Sequence, residues 1–262
     1  MLRNYFRIAA RQILKSKTFS LINVAGLAVG IAASFLILQY VAFEMSYDQF
    51  HRNKDEIYRV ALEQYENGEL KNASARNFAG INALLTENCP EVTAATRFMK
   101  MPANTGFLFR YNNKIYNESG GHITADGNFF KVFPSLLLRG DMSTVLASPN
   151  SIVLSATIAK KVFGDVDPVG QRFDAMDEDR NAPYVVTGIL RDIPGNSHFH
   201  ANFVTKIEEV WPEIVEEDWG ATFIFSYATM PTKTDLRAVT DKVNYALRKI
   251  AEENPRVKGS EV

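Results

Sequence analysis

A long run of uncharged residues, from Thr18 to Phe43, constrains this chain more than any other feature. The run contains no Asp, Glu, Lys, Arg or His. As a helix it would be about 39 Å long, which exceeds the roughly 30 Å thickness of a bilayer's hydrocarbon core. The run therefore predicts one transmembrane helix over residues 18–44, and no second apolar run of comparable length occurs in the sequence.

A cleaved signal peptide is the alternative interpretation of the same run. Signal sequences have an apolar segment of about 7–15 residues, followed by small residues at the cleavage site. The only suitable site lies near Ala32 and Ala33, and the bulky segment 35–38 follows it directly. We therefore expect an uncleaved membrane anchor.

Small residues recur at every fourth position of the predicted span, at Gly26, Gly30 and Ser34. This spacing puts them on one helix face, where a second transmembrane helix can approach closely. Glycine and serine are also common in membrane helices that make no such contact. We expect the three residues to form a helix-packing face.

The charges on the two sides of the span are unequal. The segment before it contains five basic residues and no acidic one, whereas Glu44 and Asp48 follow it. Because basic residues are retained in the cytoplasm, the N-terminus should lie inside and the rest of the chain outside. The spacing also predicts a basic amphipathic helix over residues 1–17 in the plane of the bilayer surface, although an ordinary basic flank would look similar. The expected membrane-surface residues are Arg3, Arg7, Arg11, Lys15 and Lys17.

The composition is that of a globular domain, with 46% apolar and 23% charged residues. The whole chain has a net charge of −1; without the five N-terminal basic residues, 24 basic side chains remain against 30 acidic ones, a balance of −6. An acidic balance argues against nucleic-acid binding, which depends on basic surfaces. The single cysteine, Cys89, excludes an intrachain disulfide, and we expect it to be a buried residue of a helix.

The pattern after residue 44 predicts an α+β domain over residues 45–262. A hairpin signal at Asn67-Gly68 joins two predicted strands. Ser155 and Thr234 are expected N-caps of two helices, and Gly164 is expected to end the first of them. The predicted strands are residues 57–64, 70–75, 92–100, 106–111, 114–118, 151–154, 184–192, 203–207 and 222–230, and the predicted helices are residues 78–88, 156–163 and 235–253. The short middle strands suggest a β-rich lobe inserted into the main lobe.

Familiar motifs for catalysis, cofactor binding and metal binding are missing from the sequence. It contains no phosphate-binding loop, no nucleophile elbow, no H-E-x-x-H and no C-x-x-C. His198 and His200 could begin a metal site, but without nearby ligands a solvated or hydrogen-bonded loop is the better interpretation. The acidic stretch around residues 174–180 lacks the glycine and glutamate spacing of a calcium loop, and we interpret it as a hairpin tip. We therefore expect no catalytic, cofactor or metal residues.

Several ordered segments resemble bacterial MacB/FtsX-like ABC transporter permeases. The similarity covers nearly the whole chain and extends to Trp219-Gly220. The segments are MLRNYFRIAARQILKSKTFSLINVAGLAVGIAASFLIL, MSYDQFHRNKDEIYRV, ITADGNFFKVFPSLLLRGD, IVLSATIAKKVFGDVDPVGQRF and VVTGILRDIPGNSHFHANFV. The resemblance implies a MacB-like periplasmic core domain, with a porter-like βαβ lobe and an inserted β-rich lobe.

The resemblance also implies a non-catalytic transport role in the bacterial inner membrane. Members of the family dimerise and receive ATP-driven motion from an ATPase, which here should be a separate ABC ATPase subunit. The implied partners are that ATPase, a second permease copy, a periplasmic adaptor and the lipid bilayer, with no nucleic acid.

The chain departs from the family in one respect, because such permeases have at least four membrane helices. With a single span, we expect it to be an N-terminal fragment or truncated product of a permease, and we expect its last sheet to lack a strand. The alternative function is a single-pass, membrane-anchored sensor or binding domain.

Overall fold

The computed structural model describes residues 2–102, 106–176, 181–210 and 219–262 of the chain. The described chain divides into two units, one ending at Tyr47 and one beginning at Asp48. The acidic residues Asp177, Glu178 and Asp179, which we interpret as part of a hairpin tip, lie outside the described residues.

The first unit contains two helices, α1 (Leu2–Lys15) and α2 (Lys17–Glu44). Helix α2 has no buried residues and is long and apolar enough to cross a membrane. Ser16 separates the two helices, with a backbone conformation outside the helical region. The helix predicted from the uncharged run is therefore present, and it begins one residue earlier than predicted.

The second unit, which we call the globular domain, contains the remaining helices and all the strands of the described residues. Its helices are α3 (Ile81–Asn88), α4 (Phe129–Val132), α5 (Ala156–Phe163), α6 (Ile207–Val210) and α7 (Leu236–Glu253). Its strands are β1 (Ile57–Arg59), β2 (Leu62–Glu66), β3 (Glu69–Ser74), β4 (Ala94–Lys100), β5 (Phe107–Tyr111), β6 (Lys114–Glu118), β7 (His122–Ala125), β8 (Leu137–Arg139), β9 (Ser151–Ser155), β10 (Arg172–Met176), β11 (Asn181–Leu190), β12 (Phe203–Lys206), β13 (Phe225–Thr229) and β14 (Ser260–Glu261).

Within the described residues, eleven strands form one mixed sheet in the order β1-β13-β4-β7-β12-β9-β11-β10-β5-β6, with β8 beside β11. Strand β7 runs parallel to β12 and β9 runs parallel to β11, whereas the other pairs are antiparallel. A small antiparallel sheet holds β14, β2 and β3. The α+β prediction is confirmed. Strands β10, β5 and β6 form one end of the large sheet, which continues without a break into the rest of the domain.

Three large apolar clusters hold the globular domain together. An aromatic cluster that includes Phe98 and Phe133 packs against the middle of the sheet. A second cluster contains the buried face of α5, and a third joins α3 to α7. Cys89 is buried in the third cluster, so its expected burial is confirmed, although it lies one position past the end of α3 rather than within the helix.

Helix α5 has both of its predicted ends. The Ser155 hydroxyl oxygen accepts a hydrogen bond from the Ile158 backbone amide at 3.3 Å, and Gly164 follows the helix with a φ of 63°. Serine supplies an acceptor at a helix start, and glycine tolerates a positive φ at a helix end. The helix directly follows β9 and lies in the connection to the parallel strand β11.

Three predicted boundaries are wrong. Asp235 rather than Thr234 is the N-cap of α7, because its carboxylate accepts from two backbone amides of the first turn, at 3.1 and 3.3 Å. The predicted strand 57–64 divides between two sheets, because β1 pairs with β13 and β2 pairs with β3. Helix α3 begins at Ile81 rather than at residue 78, because the preceding Asn77 forms a β-bridge with Ile224.

Candidate functional site

An extensive polar cluster of the globular domain forms around its first residue, Asp48. This residue comes four positions after Glu44, the last residue of α2. Its φ is 56°, a left-handed conformation that aspartate tolerates better than most residues. Its backbone amide donates to the Asn196 carbonyl at 3.0 Å, which joins the start of the domain to the loop after β11.

The Asp48 carboxylate accepts three hydrogen bonds from this loop. One oxygen, Oδ1, accepts from the Ser197 hydroxyl at 2.8 Å and from the His198 backbone amide at 3.4 Å. The other oxygen, Oδ2, lies 2.6 Å from the imidazole Nδ1 of His198. Asp48 therefore holds the loop through both backbone and side-chain groups.

His198 continues the cluster into the large sheet. Its Nε2 forms a short hydrogen bond with the hydroxyl of Tyr227, which belongs to β13. The Lys100 ammonium, at the end of β4, donates to the His198 carbonyl at 2.9 Å. The Tyr227 ring in turn stacks on Phe98 in the aromatic cluster, with 5.6 Å between centroids. A continuous set of contacts thus leads from Asp48 to the middle of the core; we call Asp48, Ser197, His198 and Tyr227 the brace.

The protonation states of the brace follow from burial and from its hydrogen bonds. Burial lowers the pKa of His198 and outweighs the opposing effect of Asp48, so the imidazole is neutral at neutral pH. Burial raises the pKa of Asp48, but the hydrogen bonds from His198 and Ser197 outweigh this effect, and the net pKa lies below the ordinary value. Burial raises the pKa of the Tyr227 phenol, which keeps its proton. Consequently Nδ1–H of His198 donates to the ionised Asp48, and Nε2 accepts from Tyr227.

A cleft of about 360 Å³ lies beside the brace. His51 lines it and is only 3% exposed, with its ring 4.2 Å from the Phe50 ring and 5.3 Å from the Phe133 ring, centroid to centroid. Among the described residues, neither ring nitrogen of His51 has a hydrogen-bond partner. Burial lowers the pKa of His51, so this imidazole is also neutral at neutral pH. The lining residues are Asp48, His51, Lys54, Ile57, Arg59, Phe133, His198 and Tyr227.

The order carboxylate, imidazole, hydroxyl is also found in hydrolases, where the hydroxyl is the nucleophile. Here the hydroxyl belongs to Tyr227, which is 3% exposed and whose pKa is raised by burial. A buried phenol that keeps its proton is a poor nucleophile for an external substrate. The hydrogen bonds of the brace instead fix the first residue of the domain to its large sheet.

The two histidines of the predicted loop have different environments. His198 is part of the brace, as the expected hydrogen-bonded loop requires, whereas His200 is exposed. Within the described residues, no group of three or more His, Cys, Asp or Glu side chains is arranged to hold a metal ion.

The predicted helix-packing residues share an open face of α2. A Cβ added to Gly26 or Gly30 would meet no atom within 4 Å, and the Ser34 hydroxyl donates to the Gly30 carbonyl at 2.9 Å. A shallow groove runs along this face, lined by Gly26, Leu27, Gly30, Ile31, Ser34, Phe35 and Leu38. Of the predicted membrane-surface residues, Arg7, Arg11, Lys15 and Lys17 are exposed, and the side chain of Arg3 lies outside the described part of the chain.

Sequence reasoning missed Asp48, Ser197 and Tyr227 as members of a site. Asp48 and His198 are 150 positions apart, and no local pattern connects them. Asp48, Ser197 and His198 do fall within the segments MSYDQFHRNKDEIYRV and VVTGILRDIPGNSHFHANFV that carry the family resemblance. The resemblance therefore marked the segments that contain these residues, but it did not show that their side chains meet in the fold.

Comparisons with known proteins agree with the fold. Residues 20–244 match the family described as MacB-like periplasmic core domain. A solved domain assigned to a permease protein of Porphyromonas gingivalis has a TM-score of 0.63 and 19% identity, covering 80% of this chain and 88% of that one. The extracellular domain of the noncanonic ABC-type transporter YknZ from Gram-positive bacteria has a TM-score of 0.50 and 14% identity, covering 78% of this chain and 99% of that one.

The periplasmic region of MacB from Actinobacillus actinomycetemcomitans is also similar, with a TM-score of 0.49 and 13% identity over 76% of this chain and 86% of that one. No curated protein matches the sequence. The family match covers more than half of the chain and includes most of α2 together with most of the globular domain. The chain therefore belongs to the MacB-like periplasmic core domain family of ABC-type transporter permeases, and it carries an apolar N-terminal helix long enough to anchor it in a membrane.

Proposed function

We propose that this chain is a permease subunit, or the N-terminal part of one, in an ABC-type export or mechanotransmission complex. In this role it catalyses no reaction itself. A separate ABC ATPase subunit drives motion of the membrane helices, and the chain passes that motion to its extracytoplasmic domain. The observation that carries the proposal is the brace, which ties the residue four positions after α2 to the large sheet.

The brace suits the transmission of motion because several hydrogen bonds hold Asp48 tightly to the loop after β11. Asp48 is held by its backbone amide and by both carboxylate oxygens. Hydrogen bonds to an ionised carboxylate are shorter and stronger than those between neutral groups. A displacement of the chain at Asp48 would therefore move the loop after β11 and, through His198, strand β13.

The proposed arrangement in the membrane follows the charge pattern. The N-terminus lies in the cytoplasm of a bacterial cell, with Arg3, Arg7, Arg11, Lys15 and Lys17 against the inner membrane surface. Residues 1–17 form the interfacial helix, 18–44 the span and 45–262 the periplasmic core domain. A second permease copy and a periplasmic adaptor complete the assembly.

The test is hydrogen–deuterium exchange on the full chain, purified from native membranes with the proteins that accompany it. We expect an ABC ATPase among those proteins. Trapping that ATPase with ATP and vanadate should change deuterium uptake in β13 and in residues 196–200. The variant Asp48→Ala should reduce the change several-fold, because it removes the acceptor of three hydrogen bonds at the start of the domain.

The matched control is Asp165→Ala, which removes an exposed aspartate whose only ion pair within the described residues is with Lys160. It should respond to nucleotide as the unmodified chain does. An equal response from Asp48→Ala and the unmodified chain would refute transmission through the brace. Purification without any ABC ATPase would instead favour the single-pass sensor or binding domain.

A further inference from the structure

A second cleft, separate from the one beside the brace, opens on the globular domain and is lined partly by residues near the domain's first residue. Its volume is about 410 Å³. One part of the wall is apolar, and the remaining lining is polar or basic. The lining residues are Phe50, Arg52, Asn53, Pro134, Ser135, Leu137 and Arg191.

The charged groups of this cleft are all positive. Arg52 and Arg191 are its two charged lining residues, and none of the described acidic residues lines it. Among the described residues, the Arg52 guanidinium has no hydrogen-bond or ion-pair partner, although its backbone amide does. Arg191 donates through Nε to the Ser135 carbonyl at 3.2 Å. It forms no ion pair with any carboxylate of the described residues. Two guanidinium groups whose positive charge no carboxylate neutralises favour binding of an anion in this cleft.

Ser135 adds a neutral donor to the same cleft. Its hydroxyl oxygen accepts from the Arg52 backbone amide at 3.0 Å, so the hydroxyl hydrogen is left to donate to a ligand. Arginine forks match the geometry of phosphate oxygens and bind them through paired hydrogen bonds. The combination of two guanidinium groups with a hydroxyl donor therefore suits a phosphate group.

We propose that this cleft binds the phosphate of an anionic phospholipid headgroup. Arg52 comes eight positions after Glu44, the last residue of α2, and an extended chain covers at most about 3.6 Å per residue. This inference rests on the proposed span: with α2 in the bilayer, the short chain between Glu44 and Arg52 limits how far the cleft can lie from headgroup phosphates. Phe50, Pro134 and Leu137 provide an apolar wall for the carbon atoms of the lipid.

The experiment is native mass spectrometry of the full chain in detergent, titrated with phosphatidylglycerol. The variant Arg52→Gln removes a guanidinium that forms no hydrogen bond or ion pair within the described residues. It should weaken the tightest phosphatidylglycerol site by about tenfold or more, the usual effect of losing a charge-assisted hydrogen bond. Arg52→Gln combined with Arg191→Gln should abolish that site. Phosphatidylcholine, which has no net charge, should bind more weakly than phosphatidylglycerol to the unmodified chain.

The control is the double variant Arg172→Gln with Arg237→Gln, which removes the same charge from two exposed arginines elsewhere on the globular domain. Every variant keeps the basic residues of α1, so lipids bound there are the same in every sample. Equal phosphatidylglycerol binding by the double variant Arg52→Gln with Arg191→Gln and by this control would overturn the proposal. Inorganic phosphate that binds with the same arginine dependence and an equal affinity would overturn the headgroup assignment. The outcome does not depend on an ATPase and is therefore separable from the transport proposal.

Discussion

Three histidines of the globular domain differ in burial, since His51 is buried whereas His122 and His198 are half-buried. His51, His122 and His198 all have pKa values lowered by burial, yet each has a different environment. His51 lies between aromatic rings, whereas His198 links Asp48 to Tyr227. His122 lies 2.8 Å, through Nε2, from the hydroxyl of a threonine on the neighbouring strand β12. Because these rings are neutral in the folded chain, acid should destabilise the domain.

His122 gives the sharpest prediction of this kind. Burial lowers its pKa from the ordinary value of 6.5 to about 4. Below pH 6.5 the unfolded chain gains a proton at this position that the folded chain does not bind until about pH 4. Its contribution is therefore fully present above pH 6.5 and is lost as the pH falls towards 4, by up to about 3 kcal/mol. His122→Gln should flatten the decline in unfolding free energy across this interval.

The measurement is chemical unfolding of the full chain at a series of pH values from about 7.5 to about 4, the range that covers both pKa values. His200→Gln serves as the control, because His200 is exposed. The quantity compared is the change in unfolding free energy with pH, rather than stability at one pH, because Gln at position 122 also alters packing. Parallel pH profiles for His122→Gln and the unmodified chain would contradict the assignment.

The capping residues at helix ends can often be predicted from the local sequence, as α5 and α7 show with different success. Helix α5 begins and ends where its Ser155 and Gly164 predict, because both residues act through backbone groups nearby in sequence. Helix α7 shows the limit of such reasoning, since Thr234 and Asp235 are both good N-cap residues. Asp235 is the cap in the structure, whereas Thr234 donates its backbone amide to the Pro231 carbonyl in a turn.

A pair of alanine variants separates the two N-cap assignments. Asp235→Ala should lower the unfolding free energy by about 1 kcal/mol, the usual effect of removing an N-cap side chain. Thr234→Ala should change it by less than about half of that amount. Thermal unfolding of both full-length variants, followed by circular dichroism, makes the comparison. A larger loss of stability for Thr234→Ala would restore the sequence-based assignment.

The large sheet unites the globular domain. Its strands come from segments throughout that domain, so β1 pairs with β13 and β4 pairs with both β13 and β7. The aromatic cluster packs on this sheet and includes Tyr227, the innermost member of the brace. In the proposed role, motion applied at Asp48 would reach this well-packed core through His198 and Tyr227.

The open face of α2 leads to a prediction about assembly. We predict that Gly26→Leu with Gly30→Leu disrupts association with other membrane helices, because two leucine side chains would fill the groove that permits close approach. The measurement is the amount of membrane partner recovered with the tagged chain from detergent extracts, which should fall several-fold.

The matched control for this pair is Ala28→Leu with Ala32→Leu. It adds similar volume with the same four-residue spacing, at positions that do not line the groove. Recovery should remain near that of the unmodified chain. Unchanged recovery of partners by the Gly26 and Gly30 variant would refute the packing role, and an equal loss in both variants would show that added bulk anywhere on the helix is harmful.

Features that depend on near neighbours in the chain could be predicted from the sequence alone. The membrane helix follows from one uninterrupted run of uncharged residues, and the hairpin turn at Asn67-Gly68 follows from residues that adopt a positive φ. The α+β class and most of the longer strands also follow from local patterns of apolar residues. The short strands β7 and β8 were not predicted individually, because so few residues show no periodicity.

The brace and the basic cleft, in contrast, exist only in the tertiary structure. Asp48 meets His198 across 150 positions, and the cleft brings Arg52 to the same place as Ser135 and Arg191. The division of residues 57–64 between two sheets has the same origin, since β13 pairs with the first part of this segment and β3 with the second. Such contacts depend on the order of strands in the sheet and on burial, which set hydrogen-bond partners and pKa values. Neither property is contained in a local run of residues.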